Sequence, residues 1–206
     1  FFLTITYNAL HWPWQGPNDK PYADSVDFRT GGSPAIYAAM MKRLDDGIGV
    51  IMKTLDEEQL SSHTIVIFTN DNGGERYSNN GGLAKAKGSL WEGGIRVPAF
   101  VRWPGRINAG DVTQQVAITM DWTKTILSAA GAKTDKNFPL DGIDLMSILT
   151  GKKKMIPRTF YWRTFQRAKQ KAIRMGEWKY LQDEKGEYLF NLIADQEEKN
   201  DLKAKE

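Results

Sequence analysis

The stretch Thr64-Ile65-Val66-Ile67-Phe68-Thr69-Asn70-Asp71-Asn72-Gly73-Gly74 decides how the chain is read. A run of strand-forming residues ends in acidic and amide oxygens, and two glycines follow. In open α/β sheets ligands bind beyond the carboxyl ends of strands, so Asp71 and Asn72 stand where chemistry is expected. Upstream, Ser33-Pro34 carries a cap residue and then a proline suited to the first helical position. Tyr37, Met40, Met41, Leu44, Ile48, Ile51, Met52 and Leu55 recur at helical spacing, and Leu60 to His63 turns the chain into the Ile65 strand. This helix-to-strand order predicts an α/β fold with a mostly parallel or mixed sheet flanked by helices.

Working outward, Phe1 to Tyr7 is apolar and β-branched and reads as a strand. Pro13 keeps the following loop, Asn8 to Trp14, from being helical. A long polar stretch with Gly16, Pro17, Pro21, Gly31 and Gly32 comes next, of the kind often shaped around a site. Beyond the central strand, Ala99 to Trp103 is another strand and Val116-Ala117-Ile118 a short one. Asp121 to Ala130 has helical character with Gly131 as its stop. Leu140-Asp141-Gly142 leads into a short helix ending at Gly151. The character changes at Lys152. Phe160-Tyr161-Trp162, Ala172-Ile173-Arg174, Trp178 to Leu181 and Tyr188-Leu189-Phe190 predict a small antiparallel sheet, with turns at Gly176 and Lys185-Gly186. Residues 1–151 are thus read as part of an α/β domain and 152–206 as a C-terminal subdomain, its charged tail after Asp195 fraying.

The 206 residues are 41% hydrophobic and 26% charged, in the range of globular domains. A net charge of +3 is too small to argue for nucleic acid. The basic clusters at Lys152-Lys153-Lys154 and from Arg163 to Lys171 read as solvated surface. No apolar run approaches the roughly 20 residues of a membrane span. The absence of cysteine excludes disulfides and cysteine-ligated zinc within these residues. Phe1 to Tyr7 has neither an initiator Met nor a basic leader, so the chain is expected to begin inside a longer protein.

Asp71 and Asn72 offer only oxygen, which suits a hard cation such as Ca2+ or Mg2+. The same residues also make good turn sequence, and two ligands need further oxygens from elsewhere. Lys87 lies in the glycine-flanked segment Ala86-Lys87-Gly88-Ser89-Leu90-Trp91-Glu92-Gly93-Gly94-Ile95-Arg96-Val97-Pro98. Its ammonium is a compact donor for a phosphate or sulfate oxygen, with Lys85 a neighbouring competitor and solvent exposure the plainer reading. Glu92 and Arg96 could pair structurally. His11, after the first segment, is either a packed loop residue or a donor to an oxyanion near neutral pH. His63 precedes the central strand and is given no role. Trp12, Trp14 and Trp91 near the site could stack on a ring; the other tryptophans read as packing.

Taken together, the segments Phe1 to Pro13, Leu44-Asp45-Asp46-Gly47-Ile48-Gly49, Phe68 to Gly73, Lys87 to Pro98, Leu140-Asp141-Gly142, Ala172 to Lys179 and Tyr188 to Leu192 resemble the C-terminal part of a type I sulfatase of the alkaline phosphatase superfamily. The resemblance covers nearly the whole chain and rests on the order and spacing of these motifs. It implies that Asp71 and Asn72 bind an active-site Ca2+, Mg2+ being possible. It implies that His11 and Lys87 hold the substrate sulfate, and that both are catalytic, His11 assisting the leaving group. Asn at position 72, where phosphatase and phosphodiesterase relatives often carry His in a two-zinc site, favours the sulfatase branch. The family's nucleophile is a formylglycine made from a Cys/Ser-x-Pro-x-Arg motif that these residues do not contain. It is expected in an N-terminal half of the same protein, together with the remaining acidic ligands, and this segment alone is expected to be inactive. A phosphodiesterase-type relative and a non-catalytic module that retains the fold are the alternatives. The implied substrate is a sulfated small molecule or glycan. Phe160-Tyr161-Trp162-Arg163 with Ala172-Ile173-Arg174 resembles glycan-directed members, and a periplasmic or secreted location follows from the resemblance.

Overall fold

The computed structural model describes residues 1–16, 18–20, 31–165 and 169–204. The chain divides into two compact units, Phe1–Thr64 and Ile65–Glu206.

The N-terminal unit is organised on one helix, α1 (Pro34–Glu57). Ser33 caps it: its Oγ accepts the Ile36 N–H at 3.2 Å, and Pro34 stands where no backbone donor is needed. Met40 and Leu55 are buried and Leu44, Ile48 and Ile51 half-buried along one stripe, while Met41 faces solvent. The helix ends with Gln59 in the left-handed region at φ 57°. The Gln59 N–H bonds to the Asp56 carbonyl and the Leu60 N–H to that of Leu55, the paired closure of a Schellman end. Residues 1–8 are exposed and form no strand, contrary to expectation. β-Branched composition favours an extended backbone, but a strand also requires a ladder partner, and none lies among the described residues. Tyr7 is anchored instead against α1, where a Cβ on Gly47 would lie 2.8 Å from its hydroxyl. The polar stretch expected to shape a site lies partly outside the described residues (17 and 21–30).

In the larger unit, β1 (Val66–Thr69) pairs with β2 (Ala99–Arg102) antiparallel, Val66 opposite Arg102 and Phe68 opposite Phe100. A parallel pair needs a long crossover, usually a full helix. The connection between these strands holds only a single turn, α2 (Glu92–Ile95). α3 (Met120–Ala129) follows, stopped by Gly131 at φ 67°, and then α4 (Met146–Leu149). Residues 116–118 are not a strand. The side chain of Gln115 acts as the ladder partner there, accepting the Ile156 N–H at 2.7 Å and donating to the Ile156 carbonyl at 3.2 Å. Ile118 meanwhile donates to Asp121. Asp121, fully buried, collects the N–H groups of Ile118 and Ile143 and the Arg158 guanidinium. Its neighbour Thr125 accepts the Leu145 N–H. Gly142 is required by this packing, since a Cβ would fall 2.3 Å from the Met120 carbonyl oxygen.

The C-terminal sheet is a four-stranded antiparallel meander, β3 (Thr159–Thr164), β4 (Gln170–Met175), β5 (Trp178–Asp183) and β6 (Gly186–Asn191). β4 and β5 are joined through Gly176, at φ 60°, and Glu177, as two-residue hairpins with positive φ require. Residues 166–168 of the β3–β4 link lie outside the described set. The tail expected to fray is tied down. The Leu202 N–H bonds to the Leu189 carbonyl at 2.8 Å, Asp201 accepts the Leu189 N–H at 3.0 Å, and Glu198 is buried.

Candidate functional site

The site segment is held on the C-terminal sheet by apolar packing. Leu90 and Trp91 enter a core with Ala172, Leu181, Phe190 and Leu192. Trp91 meets Tyr188 and Phe190 with ring centroids 5.2 and 5.4 Å apart and planes tilted by 58° and 52°, a favoured aromatic geometry. The Leu90 N–H donates to Gln170 Oε1 of β4 at 2.7 Å.

Beneath that core lies a group of buried charges. Lys179 of β5 is fully enclosed, with Nζ 2.8 Å from Glu92 Oε1 and 2.8 Å from Glu198 Oε1. The contact to Glu92 is a hydrogen bond; Glu198 Oε1 is approached off hydrogen-bond geometry, as an ion pair. Glu198 Oε2 accepts the backbone N–H of Glu92 at 2.6 Å. Glu92 Oε2 faces Arg96 at 3.5 Å and Arg174 at 3.7 Å. Burial pushes the Glu198 carboxyl above its usual range, with Lys179 opposing the rise, and burial lowers the Arg174 guanidinium despite Glu92. The expected pairing of Glu92 with Arg96 exists, but Lys179 and Glu198 are the closer partners. The signal for these lay far along the chain, as a single acid in the tail and a single lysine in a strand.

Glycine joins the backbone segments that carry Asp71, Asn72 and Lys87. Past the end of β1 the Gly73 N–H donates to the Gly94 carbonyl at 2.9 Å, and the Gly93 N–H to that of Ala84 at 2.8 Å. The Lys87 N–H donates to the carbonyl of Gly74, two residues after Asn72, at 3.0 Å. A Cβ on Gly73 would sit 1.9 Å from the Gly93 oxygen, and one on Gly93 2.3 Å from the Lys85 oxygen. Only bare backbone permits such stacking. Asn80 clasps the same place, its Oδ1 accepting the Gly74 N–H at 3.0 Å. The loop bearing Asp71 and Asn72 is thereby sewn to the segment bearing Lys87. The Lys87 side chain is about three-quarters buried, and its ammonium lies 3.9 Å from Glu75 Oε2, at the limit of ion pairing.

Asp71 is exposed and Asn72 half-buried on the bend that follows β1. Their side-chain oxygens suit a hard cation as part of a larger shell, since Ca2+ takes six to eight oxygens. No group of three or more His, Cys, Asp or Glu side chains assembles among the described residues. His11 belongs to the N-terminal unit. Its Nδ1 donates to the Trp12 carbonyl at 2.7 Å and its ring lies 4.4 Å from that of Trp12. That bond fixes the proton on Nδ1 and leaves Nε2 as the free end in the neutral ring. His63 is exposed.

The model of the sulfatase family matches residues 1–132, and one described as N-sulphoglucosamine sulphohydrolase, C-terminal, matches residues 85–206. The chain is 34% identical over 170 residues to the steryl-sulfatase of Homo sapiens, covering 78% of this chain and 28% of that protein. It is 34% identical over 169 residues to the N-acetylgalactosamine-6-sulfatase of Mus musculus, covering 79% and 31%. It thus spans under a third of the length of these relatives. Among solved structures, Ps i-CgsB is 31% identical with a TM-score of 0.81, over 96% of this chain and 45% of that one. The same protein in complex with k-i-k-neocarrahexaose gives 30% and 0.81 over the same coverage. A loop of oxygen donors sewn through glycines to a lysine segment, on this fold and with these likenesses, makes the chain a member of the sulfatase family.

Proposed function

We propose that this chain supplies the cation-and-anion-binding part of an enzyme that hydrolyses sulfate esters. The observation that carries the reading is the glycine-stacked joint through which the Asp71-Asn72 loop and the Lys87 segment share backbone hydrogen bonds. Asp71 and Asn72 would give oxygens to one Ca2+, which when bound neutralises charge on the sulfate. Lys87, three-quarters buried, presents a cation whose field water screens only in part. His11, with Nδ1 committed to a carbonyl, offers Nε2 to an ester or sulfate oxygen as acceptor or, once protonated, as donor. Each donor directed at charge developing on the sulfate oxygens contributes about 3–4 kcal/mol to the barrier. The nucleophile, a formylglycine, and the remaining ligands belong to the N-terminal half of the intact protein, and the 206 residues expressed alone are expected to be inactive. The substrate is a sulfated small molecule or, more narrowly, a sulfated sugar. Support comes from N-acetylgalactosamine-6-sulfatase among the relatives and from the oligosaccharide complex among the structures.

The test is turnover of an aryl sulfate by the full-length protein. Lys87→Ala and Asp71→Ala should each lower kcat/KM by about 100-fold or more. If both turn over substrate near the wild-type rate, the site assignment is wrong.

A further inference from the structure

A cavity of about 490 Å3 opens directly beside Lys87. Lys85, Lys87 and Lys185 line it, facing one carboxylate, Asp183. That carboxylate is already engaged. Its Oδ1 accepts the N–H groups of Lys185 at 2.8 Å and Gly186 at 3.2 Å. Those bonds brace the β5–β6 turn, and three ammonium groups against one carboxylate leave the lining with an excess of positive charge. Lys85 extends over the Trp91 ring, Nζ 5.8 Å from the centroid, and both it and Lys185 are exposed. Gln170 adds a neutral donor. Its Oε1 is taken by the Leu90 N–H, so the amide NH2 is the end that remains for a ligand.

We propose that Lys85, Lys185 and Gln170 form a second anion subsite, which selects sulfated saccharides carrying a further sulfate or a carboxylate near the ester that Lys87 holds. The proposal rests on the sulfate-ester reading above and adds a specificity that Lys87 alone does not give. The volume matches a site for a small ligand. The arrangement of two exposed ammonium groups beside an amide donor suits a tetrahedral or planar anion on a sugar ring more than a neutral one.

The experiment compares the intact wild-type protein with Lys85→Ala, Lys185→Ala and Lys185→Arg on three substrates: 4-nitrophenyl sulfate, a monosulfated monosaccharide and the same sugar with a second sulfate. Each alanine variant should lower kcat/KM for the disulfated sugar by about ten-fold, as expected for losing one charge-assisted contact. The aryl sulfate should change less than two-fold, and Lys185→Arg should keep most of the preference. Equal losses on all three substrates, or no loss on the disulfated sugar, would overturn the proposal. If the wild type hydrolyses none of them, the sulfate-ester reading fails by itself, and calorimetric titration with the disulfated sugar decides the subsite. Weakening of about ten-fold in Lys185→Ala then supports it, and equal affinity rejects it.

Discussion

Replacing Lys179 by Met tests whether the buried charges hold the site segment in place. The ammonium has no exposure and touches two carboxylates at 2.8 Å each, Glu92 on α2 and Glu198 in the tail. Met matches its length and fills the space, so little cavity forms. What remains is two enclosed carboxylates without their shared cation, and breaking a buried pair in this way costs about 3–5 kcal/mol. Arg174 and Arg96, at 3.7 and 3.5 Å from Glu92, offset part of that for Glu92 and none for Glu198. The loss is a large share of a domain's usual 5–15 kcal/mol. The assay is urea unfolding of the intact protein, following the tryptophan signal that includes Trp178 beside the substitution and Trp91 beside Glu92. Acidity should restore part of the loss. Burial raises the folded Glu198 carboxyl above its unfolded value, so the folded state binds the extra proton. Stability from this group is therefore lost as pH rises from the ordinary carboxylate range to the raised value. Without Lys179 that raised value moves higher, and the gap between variant and wild type narrows as pH falls through it toward the ordinary carboxylate range. Converting Glu92, Lys179 and Glu198 together to apolar residues should recover only part of the stability, because the Glu92 N–H and the Arg174 and Arg96 guanidinium groups then lose their carboxylates. A Lys179→Met cost under about 1 kcal/mol, or one independent of pH, would refute the reasoning.

Two further outcomes follow from the joint and the oxygen donors. Gly73→Ala drives a methyl to 1.9 Å from the Gly93 carbonyl oxygen, a backbone atom that no rotamer change can move. It should destabilise by about 2–3 kcal/mol and depress turnover, whereas Gly49→Ala, which meets nothing within 4 Å in α1, should stabilise by about 0.5–1 kcal/mol; thermal unfolding of both variants checks the contrast. Chelation of the full-length protein should abolish aryl sulfate turnover, with Ca2+ restoring it; metal analysis returning two zinc ions per chain would instead favour a phosphatase-type relative.

Local signals in the sequence were reliable wherever the determinant was local. Ser33-Pro34 marks the start of α1 because a cap and a φ-restricted residue act within one turn. Alternating residues and the turn at Gly176 give the β4–β5 hairpin, since a two-residue turn fixes both pairing and register; the β5–β6 turn is Glu184-Lys185, one residue earlier than the expected Lys185-Gly186, with Gly186 already paired to Asp183. Phe1 to Tyr7 misled because strand formation depends on a neighbour that composition does not disclose. The antiparallel sense of β1 and β2 was hidden for a related reason, the connection between them being read without knowing how little helix it holds. At the candidate site, Asp71, Asn72 and Lys87 stand out in the sequence as oxygen and ammonium groups among glycines. The glycines' own task, close stacking of three backbone segments, became apparent only with the distances. Glu198 and Lys179 were missed because a buried ion pair joins residues that no periodicity links, and a charged tail in isolation reads as solvated. Gln115 and Asp121 were missed because their partners, Ile156 and Arg158, sit dozens of residues away.

The hydrogen bond between the Glu92 amide and the Glu198 carboxylate spans 106 residues. Closing so long a loop is entropically late, and contacts of high sequence separation slow folding. On the ribosome the segment carrying Lys87 therefore emerges well before the residues that clamp it. At about 5–20 residues per second, it waits several seconds or longer for its last support. Until then Leu90 and Trp91 have no sheet to enter, so the nascent chain displays two large apolar side chains beside the candidate site. Stalled or prematurely terminated synthesis should yield aggregates in preference to a soluble partial enzyme.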